Sequence, residues 1–226
     1  MSELLKKKAV IFDMDGVIFD SERLVLTSWK EVGKKHGFTI EEDLFYLCVG
    51  VNAVETKQIF LRHYGQDFPY DEYKKEASAW YHERFDNGRL PMKPGIRELL
   101  TYLKEEGYKI GLASSTRQVT VTQEITDAGL LPYFDNLTCG DMLQKSKPEP
   151  DIFLMACDAL SVKPEEVVVI EDSYNGIRAA NRAGTTPVMV PDMIAPDEEM
   201  RSLSHIILEN LFEVKEWMMG NVLLEK

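Results

Sequence analysis

Lys8-Ala9-Val10-Ile11-Phe12-Asp13-Met14-Asp15-Gly16-Val17 is an apolar run of strand length that ends abruptly in two carboxylates, followed by a glycine that lets the backbone turn. Without helical periodicity, it reads as a buried strand delivering an acidic pair. Side chains in a strand alternate faces, so the spacing predicts Asp13 and Asp15 on one side and Phe12 and Met14 on the other. Two carboxylates so placed repel, and they call for a cation or for a proton on one of them; both serve phosphate chemistry. The same letters suit a strand that ends in a solvated Asp-Gly turn, and the fragment alone leaves both readings open.

The chain of 226 residues suffices for a sizeable core and fits one large domain or a main domain carrying a smaller insertion. Its formal charge of −12 argues against nucleic acid, whose binding rests on Lys and Arg neutralising phosphates, and against anionic membrane surfaces. A small anionic ligand then needs local positive centres or a metal. Cys48, Cys139 and Cys157 are scattered without metal-ligand spacing and are expected as buried core thiols of a reducing compartment. The lysines at 6–8 and the short apolar run after them make neither a signal peptide nor a membrane span, so a cytoplasmic protein is expected.

Downstream of the acidic strand, Ser21 is placed to cap a helix with Leu24, Val25, Leu26, Trp29 and Val32 on its apolar face and Gly37 at its end. Residues 41–49 are apolar without a decisive period. Asn52 is placed to cap a helix to about Tyr64, and Pro69 opens a longer one to about Asp86, so 20–90 reads as helical throughout. From Pro91 the texture changes. A helix after Pro94 ends near Gly107, a strand covers 108–113, and a helix runs over about 116–129. A strand over 136–139, a helix opened by Pro150, a strand over 167–170, a helix over 174–184 and a strand over 188–190 continue the alternation, and the tail beyond Pro196 reads as a last strand and helix.

Such alternation, with β-branched strands that do not alternate in polarity, predicts the α/β class: a doubly wound, mainly parallel, Rossmann-like sheet covered by helices on both faces. The core comprises 1–19 and 91–226, and the all-helical segment 20–90 is inserted after the first strand. Ligands of open parallel sheets bind beyond the carboxyl ends of the strands, which puts this segment over the mouth of a site as a cap.

Residues just after the other strands then matter. Ser114-Ser115-Thr116 follows the strand at 108–113 as a hydroxyl cluster before a helix, where free N–H groups favour an anion, although plain helix capping is as common a use of such a cluster. Glu171-Asp172-Ser173 follows 167–170 and adds two acids beside the first pair. A cap explains one acid; four converging carboxylates are better explained by Mg²⁺, a hard cation held by carboxylates and substrate oxygens. Between these strands, Lys147, tied down by Pro148, is preferred to Lys145 as the ammonium that offsets phosphate charge.

Together, Asp13-Met14-Asp15-Gly16-Val17, Ser114, Lys147-Pro148 and Glu171-Asp172-Ser173 resemble the four motifs of the haloacid dehalogenase-like superfamily. Their order, with a helical segment between the first two, resembles the branch that includes the β-phosphoglucomutase-like phosphatases. The resemblance implies a Mg²⁺-dependent phosphatase with Asp13 as nucleophile, forming an aspartyl-phosphate, and Asp15 as general acid and then base. It also implies a Mg²⁺ site made by the Asp13 carboxylate, the Asp15 backbone carbonyl, Asp172 and, directly or through water, Glu171. Ser114 and Lys147 would hold phosphoryl oxygens, helped by backbone N–H groups near Met14, Asp15 and Ser115.

The sequence departs from the mutase pattern where that cap carries basic residues, since Val25, Ala53 and the neighbourhood of His82 stand there. Transfer to water is therefore favoured, with a phosphomutase as the alternative. A signalling receiver domain is the reading from another class, and the insertion and the Asp13/Asp15 pair count against it. The expected partner is a small phosphorylated metabolite, a sugar phosphate or similar compound, which Asn52, His82, Arg84, Arg117 and Gln118 are candidates to touch. A monomer is compatible with a cap that opens and closes.

Overall fold

Ala9–Phe12 (β1) lies fully buried at the centre of a six-stranded parallel sheet. The computed structural model describes residues 7–220; residues 1–6 and 221–226, the outer ends of the expected core segments, lie outside the described residues. The other strands are Lys109–Ser114 (β2), Asn136–Cys139 (β3), Val167–Glu171 (β4), Thr186–Met189 (β5) and Ile206–Ile207 (β6), in the order β3-β2-β1-β4-β5-β6. Phe12 stands in register with Leu112 on one side and Ile170 on the other. The chain leaves β1 toward β2 and returns on its other flank as β4, so the strand order reverses at β1, where open sheets leave a crevice.

Both faces of the sheet are covered because β1 alternates between them. Val10 and Phe12 pack with Leu99, Leu103 and Trp217 from Ile96–Glu105 (α5) and Leu211–Met218 (α10). Ala9 and Ile11 pack with Phe153, Ala156 and Ala179 from Asp151–Leu160 (α7) and Tyr174–Arg182 (α8). Gln118–Asp127 (α6) and Glu198–Leu203 (α9) complete the surround. This is the doubly wound parallel architecture expected from the alternation, with α9 as a helix that the tail pattern did not suggest.

Between β1 and α5 come Ser21–Lys35 (α1), Glu42–Tyr46 (α2), Ala53–Tyr64 (α3) and Tyr70–Phe85 (α4). They bury one cluster of their own, with Trp29 edge-on to Phe45 and Phe60, and with Met193 and Ile194 of the loop after β5 packed against it. The two connections run side by side: Asp20 N–H donates to the Pro91 carbonyl at 2.9 Å and Lys93 N–H to that of Ile18 at 2.8 Å.

Several boundaries differ from the sequence reading, each for a local reason. β2 begins at Lys109 because Tyr108 N–H closes the end of α5 on the Leu103 carbonyl. β5 begins at Thr186 and accommodates Pro187, which donates nothing but whose carbonyl accepts from His205 N–H. α6 starts two residues later than Thr116, since Asp141 Oδ1 accepts from Gln118 N–H and fixes the first turn there. Residues 42–46 of the ambiguous stretch are helical. Ser21 is the first helical residue of α1 and not its cap; its hydroxyl has another partner.

Candidate active site

The register of β1, β2 and β4 brings residues far apart in sequence to one level at their carboxyl ends. Lys147 Nζ sits among them, 2.5 Å from Asp13 Oδ1, 2.7 Å from Glu171 Oε1 and 3.3 Å from the Ala113 carbonyl. The ammonium is almost fully buried, as are both acids. Glu171 Oε2 accepts from the Ser173 N–H and hydroxyl at 2.8 and 2.9 Å, so both of its oxygens are engaged. Asp172 is buried beside them and makes no hydrogen bond or ion pair with a described residue. Asp13, Glu171 and Asp172 each offer an oxygen within 4.8 Å of the others.

Three carboxyls around one ammonium in a dry setting shape the electrostatics. Burial pushes the Asp13 carboxyl up to about 8 despite the pull of Lys147, and Glu171 and Asp15 add to the rise. Burial, then Glu171 and Asp13, hold the Asp172 carboxyl well above its usual range. For Lys147 burial acts the other way, but Asp13 and Glu171 outweigh it and keep the ammonium above the ordinary lysine value. The cluster therefore lacks positive charge, and oxygen donors of this hardness suit a Mg²⁺-like cation.

Two glycines make room for it. Gly16 has φ +81° and lies so close to Asp172 that a Cβ there would overlap its carboxylate. Gly176, in the first turn of α8, leaves the space into which the Glu171 carboxylate folds. The small size of Gly176 therefore serves Glu171.

Beyond β1, Asp13 N–H still donates to the Ile170 carbonyl at 3.0 Å, and Asp15 forms an isolated bridge with Phe19. Its carboxylate accepts from Ser21 Oγ at 2.6 Å and Thr116 Oγ1 at 3.0 Å. Asp13 and Asp15 thus have separate hydrogen-bond partners, while Asp15 remains among the charges that act on Asp13. Ser114 is fully buried and its Oγ accepts from Thr116 N–H, closing a turn that ends two residues before α6 begins. Ser115 Oγ donates to the Gly50 carbonyl at 3.3 Å, tying the loop between α2 and α3 to the sheet edge.

The sequence reading missed Ser21 and Thr116 as partners of Asp15. Thr116 lay within the hydroxyl cluster already singled out, but Ser21 matched a capping pattern and was absorbed by it. Of the candidate substrate contacts, Asn52 caps α3 by accepting from Glu55 N–H, His82 pairs with Asp86, and Arg84 stacks over Trp80 at 4.1 Å. None of these three makes a hydrogen bond or ion pair with the acidic cluster. Arg117, Gln118 and Lys145 are exposed. The three cysteines are buried and free.

A family model described as haloacid dehalogenase-like hydrolase matches residues 10–190. A phosphorylated carbohydrates phosphatase of Thermotoga maritima is 36% identical over 177 residues, covering 78% of this chain and 82% of its own. A β-phosphoglucomutase of Bacillus subtilis is 33% identical over 220 residues, covering 93% and 95%. The crystal structure of a β-phosphoglucomutase from Clostridium difficile superposes with a TM-score of 0.80 at 25% identity, covering 95% of this chain and 96% of that one. Among the described residues no helix is long and apolar enough to cross a membrane.

Proposed function

The chain belongs to the haloacid dehalogenase-like hydrolase family, and on that premise we propose that it is a Mg²⁺-dependent phosphatase that cleaves a small phosphomonoester, a sugar phosphate or similar metabolite, through an aspartyl-phosphate on Asp13. The observation that carries this reading is the buried Asp13 carboxylate at the reversal point of the sheet, one oxygen on Lys147 and the other free of any described partner. A dianionic monoester repels a carboxylate nucleophile, so attack requires that positive charge be fixed in place beforehand. Lys147 supplies one such charge. Asp13 attacks phosphorus in line, the P–O bond to the leaving group breaks, and Asp15, poised by Ser21 and Thr116, gives that oxygen its proton. Asp15 then takes a proton from water as it attacks the acyl phosphate, releasing phosphate and restoring Asp13.

The uncompensated charge of Asp13, Glu171 and Asp172 fits a hard divalent cation. Asp13 and Asp172 would hold it, with the Asp15 backbone carbonyl, and Glu171 contributes chiefly by orienting Lys147. The ion would supply positive charge against the phosphoryl oxygens. Ser114 and Ser115 remain the hydroxyls nearest the β2 end for those oxygens. Hydrolysis is favoured over transfer between positions of one sugar because Val25 is apolar, Ala53 has no reach and His82 is tied to Asp86. The deciding experiment is phosphate release from sugar phosphates and nucleotides with Mg²⁺ or chelator. Metal-dependent release supports the reading; conversion of a hexose 1-phosphate to its 6-phosphate without release would replace it by a mutase.

Two further expectations arise from the same cluster. Asp13 holds its proton up to about 8 in the folded chain and only to about 4 when unfolded, so without metal the folded state binds more protons between these values and stability falls as pH rises through them. A cation that replaces those protons should therefore raise Tm more at pH 8 than at pH 5, as thermal unfolding with Mg²⁺ and with chelator will show; equal shifts would count against a site at Asp13. Gly16→Ala forces a side chain onto Asp172 at a positive φ and should weaken Mg²⁺ dependence of activity by about 10- to 100-fold in half-saturating metal, measured by metal titration.

A further inference from the structure

Asp20 stands at the N-cap position of α1, where an aspartate ordinarily accepts from the free N–H groups of the first turn, yet its side chain makes no such bond. Its Oδ1 faces two cations instead, 3.5 Å from Arg23 Nε and 4.0 Å from Lys93 Nζ. Both cations converge on Asp192, in the loop after β5. Lys93 Nζ donates to its Oδ1 at 2.8 Å, and Arg23 donates to the same oxygen at 3.2 Å and to the Asp192 carbonyl at 3.4 Å. The Asp192 side chain is 1% exposed, and its Oδ2 has no hydrogen-bond partner among the described residues. Two acids and two bases thus alternate in a closed ring that joins the chain leaving the sheet, the first turn of α1, the chain returning to the sheet and the β5 loop.

A buried carboxylate with one oxygen unpaired is a poor device for stability alone, and buried ion pairs are better attested as devices that fix register. What this ring braces is the turn that carries Asp15. Phe19 forms backbone bridges with Asp15 and with Met92, Lys93 N–H donates to the Ile18 carbonyl at 2.8 Å, and Ser21, whose Oγ binds Asp15, lies between Asp20 and Arg23 in the chain. We propose that the ring of Asp20, Arg23, Asp192 and Lys93 positions the general acid: by anchoring the first turn of α1 to the β5 loop, it holds Ser21 Oγ against Asp15 and keeps that carboxyl aimed at the leaving-group oxygen. Arg23 and Asp192 are positioning residues that act through Ser21 and touch no reacting atom. The inference rests on the phosphatase reading and adds to it the groups that keep Asp15 in place.

The test compares kcat/KM, which reports phosphoryl transfer to Asp13, for the sugar phosphate that the wild type hydrolyses fastest and for acetyl phosphate. The sugar alkoxide must be protonated as it leaves, whereas acetate leaves without a proton. Arg23 is half exposed, so Arg23→Met should fold. It should lower kcat/KM for the sugar phosphate by about 10- to 100-fold and for acetyl phosphate by less than about threefold. Asp192→Asn, which leaves both cations facing a neutral amide, should lower the same ratio, and the double variant should lose no more than the larger single effect, since both break one contact. In a Ser21→Ala background, which lacks the hydroxyl through which the ring acts, Arg23→Met should cause no further loss of the ratio. Equal falls on both substrates, an unchanged ratio in a folded Arg23→Met protein, or an additive loss in the Ser21→Ala background overturns the inference and leaves the phosphatase standing. A wild type that releases phosphate from no sugar phosphate with Mg²⁺ overturns the phosphatase reading and this inference with it.

Discussion

Asp13→Asn is expected to reduce phosphate release by on the order of 10⁴- to 10⁶-fold, the scale on which loss of a covalent nucleophile is felt. The amide keeps the shape of the carboxylate but offers no anionic oxygen to phosphorus, and it cannot form the acyl phosphate. Folding should not suffer. Lys147 retains Glu171 at 2.7 Å, and the substitution removes a carboxyl whose ionisation burial opposes. The variant should therefore melt at or above the wild-type temperature at pH 8 in the absence of metal. Asp15→Asn separates the two half-reactions: with an activated leaving group it should accumulate phosphoryl enzyme by intact mass, whereas Asp13→Asn should accumulate none. Wild-type turnover in a folded Asp13→Asn protein would remove Asp13 from the nucleophile role.

Lys147→Met should damage both activity and stability, which sets it apart from Asp13→Asn. Its ammonium is buried between two carboxylates, and breaking a buried ion pair by removing one partner typically costs about 3–5 kcal/mol, because the other charge stays buried without compensation. Methionine fills the stem volume but offsets no charge. The loss should grow as pH rises above about 8: below that value Asp13 holds its proton in the folded chain and needs no cation, whereas above it the wild type ionises beside Lys147 and the variant has no charge to offset that ionisation. Chemical denaturation below and above pH 8 measures the difference, and an unchanged midpoint above pH 8 would show that Lys147 does not hold the acids together. Activity should fall by about 10³-fold or more through loss of a preset charge at the phosphoryl group. Lys147→Arg should not restore it, since a planar fork does not fit where a compact ammonium is enclosed by three oxygens and stacked 5.2 Å from Phe153.

The parts of this molecule legible beforehand are those that local interactions dictate. β-branched runs without alternation announced strands buried on both faces, as β1 and β4 are, within a sheet of six parallel strands among the described residues. Asn52 three residues before Glu55 announced a cap, and its side chain accepts that N–H at 3.0 Å. The same local logic misled at Ser21, where the pattern of a cap was satisfied but the hydroxyl serves Asp15.

From the sequence alone came the alternation of strands and helices, the helical insertion after the first strand, and the short set of strand ends at which polar residues had to be sought. These follow from period, capping and breaker residues, whose energies are set by neighbours within a turn or two of chain. Only the tertiary structure decided which of those residues meet: that Lys147 binds Asp13 across 134 residues, and that Glu171 is spent on Lys147 and Ser173. Such pairings depend on strand order and register, and on how burial strengthens charge. Neither has a period that could be written along the chain.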